Sequence, residues 1–464
     1  MSNAGSVHPY IPNSVPRIKR EMLDAIGVAD VEELYEAIPE RLRVAGLLDL
    51  PEPLGSEYAL RRHVEEILDR NEHCKRTLSF LGGGCWQHYI PAVCDEIANR
   101  AEFVTAYYGD TYGDHGKLQA LFEYASMVGE LVELDAVSMP TFDWGSAAAT
   151  SLCMAARITG RRTAIVPAST GAERRSIITG YCKPWVELVT IPFEPASGLF
   201  DLDRLRDAVS EETACVYFET PGYLGTVETQ AAEIARLAHE AGALCVVGVD
   251  PISLGVLEAP PRYGADIVCG ELQPLGIHMH YGGGLAGFIA SRDEERFVAE
   301  YPTFLIGLGP TIVEGEYAFG EVTWDRTSYV QRGDSKEYTG TTQFLWAIAA
   351  GAYLALLGPQ GLAELGRGIV ERAHYAAQRL GELPGVRAPA FDGPYFKEFV
   401  VDFGETGRTV AEINRGLRER AIFGGADLSA EYPELGQSAL YCVTEVHTQA
   451  DIDRLADELA EVLR

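Results

Sequence analysis

The chain has 464 residues, 47% hydrophobic and 23% charged, with 38 basic against 68 acidic side chains and a net charge of −30. That length suits two or three globular domains that bury enough surface to fold without disulfides or metals. The acidic balance argues against nucleic acid and anionic membrane as partners, because both repel it. Nine scattered cysteines with no C-x-x-C pair read as a reducing, cytoplasmic setting. No apolar run approaches the ~18 residues of a membrane span, and Met1-Ser-Asn-Ala4 lacks a signal-peptide pattern.

Residues 1–75 read as short polar helices. Met22, Leu23 and Ile26 form one stripe closed by Gly27, and Val31, Leu34, Tyr35 and Ile38 form another before Pro39. Each is too small to hold a core, so this stretch is expected to be an arm that packs on something else. Residues 76–335 alternate strands and helices. Thr163–Pro167, 188–191, 214–218, Leu244–Val249 and 266–269 are apolar, β-branched runs that fit strands buried on both faces. Ile234, Leu237, Ala238 and Ala241 follow helical spacing, with Gly242 at the C′ position. Such alternation means a mostly parallel sheet with right-handed crossovers. Residues 336–464 change to helices near 342–357 and 360–382, strands at 398–403 and 439–444, and a last helix opened by Thr448 and Asp451 in capping spacing. This predicts a smaller α+β C-terminal domain.

Several residues could carry chemistry. Asp250 ends an apolar strand, where a carboxylate serves either a ligand or the local backbone. His278 and His280 share a face if extended, with Cys269 and Glu271 nearby. No third ligand stands at a diagnostic metal spacing, so no metal is expected. His280 is the candidate general base of the region. Gly282, Gly283 and Gly284 let a backbone approach closely or simply turn. Asp143 and Ser146 precede a small-residue helix whose free N–H groups could hold a phosphate, but Asp143 is anionic and is expected to cap the helix itself. Lys336 sits in a loop that reads as cleft border or exposed flank.

Tyr10-Ile-Pro-Asn13, His88-Tyr-Ile-Pro-Ala-Val93, Leu118–Tyr124, Val249-Asp-Pro-Ile-Ser-Leu-Gly255, Tyr263–Val268, Gln273-Pro-Leu-Gly-Ile277 and Tyr432-Pro-Glu-Leu-Gly436 together resemble glycine decarboxylase, the P-protein of the glycine cleavage system. The likeness is to the half that some bacteria make as a separate α subunit, subunit 1. It implies an α/β, fold-type I pyridoxal-phosphate (PLP) dependent transferase-like architecture. In that family Asp250 would hold a pyridinium nitrogen, and a lysine would stand at 274 and a stacking histidine at 171. This chain has Pro274 and Gly171. The resemblance therefore implies a subunit without its own PLP. It would pair with a PLP-carrying β subunit in an α2β2-type or homodimer-like assembly and meet a lipoylated H-protein. Tyr107, Tyr108, His115, Asp143, Ser169, Gln273, His278, Gly282, Gly283, Gly284 and Lys336 are then expected to line the cleft. The tyrosine-rich loop Tyr107–Gly116, Trp144 and the paired histidines leave two alternatives. One is a stand-alone repurposed enzyme using His280 with a metal or pyridoxamine phosphate, and the other is a scaffold pseudoenzyme.

Overall fold

The computed structural model describes residues 7, 10–44, 46, 48–104, 115–322, 327, 336–340 and 342–464. Residues Met1–Glu72 and His73–Arg464 form two separate compact units.

In the first unit, helix Pro16–Ile26 ends on Gly27 in the left-handed region (φ 86°), and helix Glu57–Leu68 is capped by Ser56. Leu23 is its one buried apolar side chain among the described residues. More than half of the exposed large apolar side chains of the described chain lie in this unit.

The second unit is built on a seven-stranded sheet. Its spatial order is Ala136–Val137, Gly287–Ser291, Ile267–Glu271, Leu244–Val249, Thr213–Glu219, Thr163–Pro167 and Glu187–Ile191. Gly287–Ser291 is antiparallel to both its neighbours, and the other pairings are parallel. The central strands are buried along their whole length. Their period of two divides the core. Cys245, Val247 and Val249 face one apolar cluster, and Leu244 and Val246 face the other. Helix Ala231–Glu240 buries Ile234, Ala235 and Ala238, and Gly242 follows it at φ 71°.

A second, antiparallel sheet orders Glu398–Asp402, Ser438–Cys442 and Ala426–Asp427. Phe399, Val401, Ile413, Leu417, Leu455 and Leu459 form its core. The last helix, Gln449–Leu463, opens with the expected reciprocal cap between Thr448 and Asp451.

One expectation needs correction. The stretch Phe344–Gly381 contains an 18-residue window of mean hydropathy 1.3, long and apolar enough to cross a membrane by length and composition, although Gly358 breaks it into the two helical segments expected near 342–357 and 360–382. The pattern missed it because Gly358 (φ 59°) and Pro359 interrupt the run. That same kink leaves Phe344 to Leu357 only about 21 Å long, short of a ~30 Å hydrocarbon layer. Ala347, Ile348, Ala350 and Tyr353 are spent on the protein core.

Candidate functional site

Three adjacent parallel strands finish on carboxylates. Glu219 ends Thr213–Glu219, Asp250 follows Leu244–Val249, and Glu271 ends Ile267–Glu271. The carboxyl edge of a parallel sheet is where α/β proteins bind ligands. Here each acid already has an ion-pair or hydrogen-bond partner within the chain, although Glu219 Oε2 and Asp250 Oδ2 meet their cations outside hydrogen-bond geometry.

Asp250 Oδ2 lies 2.7 Å from Lys397 Nζ, with the two side chains 4% and 3% exposed. Its Oδ1 accepts from the Ile252 N–H at 3.1 Å. Lys397 enters from the residue before strand Glu398–Asp402 of the C-terminal sheet. Its ammonium also reaches His88 Nε2 at 3.2 Å and lies 3.5 Å over the Trp86 ring. His88 Nδ1 stands 2.9 Å from Glu445 Oε2, and Glu445 Oε1 accepts from the Tyr89 N–H at 2.6 Å. Burial alone would raise the Glu445 carboxyl, but the His88 side chain and the backbone N–H donors outweigh it and hold it below the usual carboxylate range.

Glu219 Oε2 is 2.6 Å from Arg174 Nη1, and its Oε1 accepts from the Tyr217 hydroxyl at 2.8 Å. The Arg174 guanidinium stacks 3.7 Å over Trp144. Burial works against its charge, and Glu219 more than restores it. Two carboxylate–cation–indole stacks thus stand on neighbouring strands. Desolvated cation–π contacts of this kind contribute about 2 kcal/mol each.

Glu271 has no cation. Its oxygens accept from the backbone N–H groups of Gln273 (3.1 Å), Ala286 (2.7 Å) and Trp144 (3.0 Å). Burial still pushes its carboxyl up to about 8 against these donors.

The helix N-termini beside the strands are taken as well. Asp143 caps helix Trp144–Thr159 by accepting from Ser146 N at 2.7 Å, as the sequence predicts, while Glu271 takes the Trp144 N–H. Helix Ala172–Cys182 donates its first N–H to Glu431. Gly171 matters because a Cβ there would come within 2.6 Å of the Tyr223 ring. Gly248 matters for the same reason: a Cβ would meet Trp144 Nε1 at 2.7 Å. The enclosed space between Trp86, Trp144, Arg174, Tyr223, Asp250 and Lys397 leaves about 10 Å³ for a water-sized body. An open cleft of about 420 Å³ lies alongside, lined by Asp143, Gly171, Tyr223, Glu271, Gly282 and Glu431 among others.

The predicted residues are only partly brought together. Asp143, Gly171 and Gly282 line the open cleft, and Asp250 lines the enclosed space. Gln273 is fully buried and lines neither. It holds both backbone groups of Trp86, at 3.0 Å each, and so sets that indole against Lys397. Ser169, Gly283 and Gly284 are not among the lining residues. His278 pairs with Asp95 at 2.9 Å. His280 stacks on Trp346 with ring centroids 5.5 Å apart, and lines neither space. Their two rings lie 6.0 Å apart, and no group of three metal-ligating side chains forms among the described residues. Lys336 pairs with Glu300, which also binds Arg157 at 2.5 Å, so that loop is tied to an ion cluster of its own. Tyr107 and Tyr108 lie outside the described residues, and His115 opens helix His115–Val132 with its side chain outside them.

Sequence reasoning gave no role to Lys397, Trp86 or Tyr223. One signal was present: Phe396-Lys397-Glu398-Phe399 puts two charges inside an apolar strand start, a pattern that asks for buried partners.

The seven-stranded sheet, its carboxylate edge and the appended antiparallel layer are those of the fold-type I PLP enzymes. Two solved structures below 25% identity share that fold: a Burkholderia pseudomallei sphingosine-1-phosphate lyase (TM-score 0.66, 18% identity, 92% of this chain and 94% of that one) and a NifS-like protein (0.63, 13%, 83% and 99%). The chain belongs to the glycine cleavage system P-protein family, whose model matches residues 8–459. It is 37% identical to a probable glycine dehydrogenase (decarboxylating) subunit 1 of Staphylothermus marinus, covering 98% of both chains. It is 38% identical to the protein of the same name from Pyrococcus horikoshii, covering 98% of this chain and 99% of that one. A crystal structure of inhibitor-bound glycine decarboxylase (P-protein) superposes with a TM-score of 0.86 at 34% identity, covering 98% of this chain and all of that one.

Proposed function

We propose that this chain is subunit 1 of a two-subunit glycine dehydrogenase (decarboxylating), and that the PLP of the assembly sits in a second, β-type subunit. The observation that carries this is a carboxylate edge whose acids are already ion-paired or hydrogen-bonded within the chain. The residues present do not fit a pyridoxal phosphate. Position 274 is a proline and offers no amine. Asp250 is already neutralised by Lys397, the stacking place at Gly171 is covered by Tyr223, and both nearby helix N-termini end on carboxylates of the chain. About 10 Å³ of enclosed space suits one water.

The role that remains is structural completion. The chain presents a rigid wall to the β subunit's site and helps receive the lipoylated H-protein. The first 72 residues support such pairing, since their apolar side chains have no core of their own. The net charge of −30 opposes self-association and favours a less acidic partner. Nine free thiols, seven of them buried, suit a reducing, cytosolic compartment.

The test uses two co-expressed chains. Glycine decarboxylation and borohydride-reducible PLP should appear only with the β-type partner, at one PLP per pair. Stoichiometric, reducible PLP on this chain alone would overturn the reading.

A further inference from the structure

We infer that Asp250, His88 and Trp86 form a receptor for a primary alkylammonium ion, and that Lys397 is its resident, tethered ligand, holding the C-terminal sheet against the edge of the seven-stranded sheet.

The surroundings suit that ion, with Asp250 Oδ2 meeting it as an ion pair and not as an aligned hydrogen bond. An ammonium has three N–H donors and no acceptor. Here it meets three complementary faces: a carboxylate at 2.7 Å, an imidazole nitrogen at 3.2 Å and an indole ring at 3.5 Å. His88 Nε2 must accept from Lys397, so its proton stands on Nδ1 and is donated to Glu445 at 2.9 Å. Gln273 fixes the Trp86 backbone from both sides. The receptor is thus supported behind each contact, which is how built sites are held.

These five residues come from distant parts of the chain. Asp250 closes a strand of the large sheet, Trp86 and His88 precede helix Ala92–Ala98, and Lys397 and Glu445 flank strands of the C-terminal sheet. Swinging that sheet away would strip Asp250 of its cation in a buried pocket, which is far more costly than never burying the pair. A second clamp lies beside it. Tyr432 donates to the Thr170 carbonyl at 3.0 Å, and Glu431 accepts from the Ala172 N–H. The inference rests on this geometry and stands whether or not the chain is subunit 1.

Chemical rescue of the full chain tests it. Lys397→Ala should lower the melting temperature. It should also raise amide exchange in Glu398–Asp402 and Ser438–Cys442 about 100-fold or more, with little change in Thr163–Pro167. Propylammonium should reverse both effects saturably, and tetramethylammonium, with no N–H donor, should not. Adding Asp250→Asn should abolish the rescue. If Lys397→Ala does not fold, Lys397→Met with Asp250→Asn removes both charges at similar volume. That double variant should fold, yet exchange faster in those two strands and ignore propylammonium. Wild-type exchange in Lys397→Ala or in the double variant would overturn the inference. So would equal rescue by tetramethylammonium, or rescue that survives Asp250→Asn.

Discussion

Residues 1–72 and the carboxylate edge break the rule of burial in opposite directions. The first unit leaves Tyr58, Leu60, Val64, Ile67 and Leu68 exposed on and around one helix. The edge hides Glu219, Asp250, Glu271, Arg174 and Lys397 from solvent. The two cases are settled differently. Buried charges find partners inside the chain, residue by residue, because an unpaired one would be too costly to keep. Exposed apolar groups tolerate waiting, because water costs them only about 25 cal/mol per Å². Polar features inside a protein therefore reveal what the chain does for itself, and apolar features outside it reveal what it expects from others.

Substitutions should separate the two regions sharply. Arg174→Ala leaves Glu219 buried and uncompensated, so urea denaturation should show a loss of about 3–5 kcal/mol. Adding Glu219→Gln should return a good part of it. A result near zero would mean that the pair is hydrated and the edge is not closed. Gly171→His forces a side chain into the Tyr223 ring and should cost about 1–3 kcal/mol by overpacking. Tyr223→Ala in the same background should relieve it, and additive losses would break the argument that the ring covers that place.

The effect of pH is of similar size to that of Gly171→His, about 3 kcal/mol at most between pH 5.5 and 8. The Glu271 carboxyl ordinarily titrates near 4.5 and in the fold near 8. Between those values the folded chain binds the proton more tightly than the unfolded one, so stability should fall as pH rises across that window, by at most ~1.4 kcal/mol per pH unit. Glu271→Gln should flatten that slope in denaturation series run at pH 5.5 and 8. The smallest effect belongs to the first unit. Tyr58→Ser should change the stability of the isolated chain by no more than about 0.5 kcal/mol. If a partner covers that helix, the same change should weaken association about fivefold or more, readable by titration calorimetry. No loss of association would send the covered surface elsewhere in the arm.

Much of the fold was legible because it is periodic. The buried strands, the helix at 231–240 and the Thr448 cap each announce themselves within about ten residues. Asp250, Pro274 and Gly171 were legible through short motifs in a fixed order. What fills the edge was not. Lys397 lies far along the chain from Asp250, and Glu431 is still more remote from Ala172, so only the folded topology makes them neighbours. The break at Gly358-Pro359 was legible as a stop, and the backbone does leave the helical region there; only the summed hydropathy across it went unnoticed. His280 looked like a base by its type and place, and the structure spends its ring on Trp346.

The way Trp144 and Gly248 interlock has a consequence for single substitutions. The indole fits only because position 248 has no side chain, and the Arg174 stack fits only because the indole is there. Restoring an open pocket would require altering Trp144, Trp86, Tyr223 and Lys397 together. Each intermediate would carry a void or a stranded charge. The filled edge thus behaves as one interlocked unit, in which no single substitution frees a pocket without leaving a void or a stranded charge.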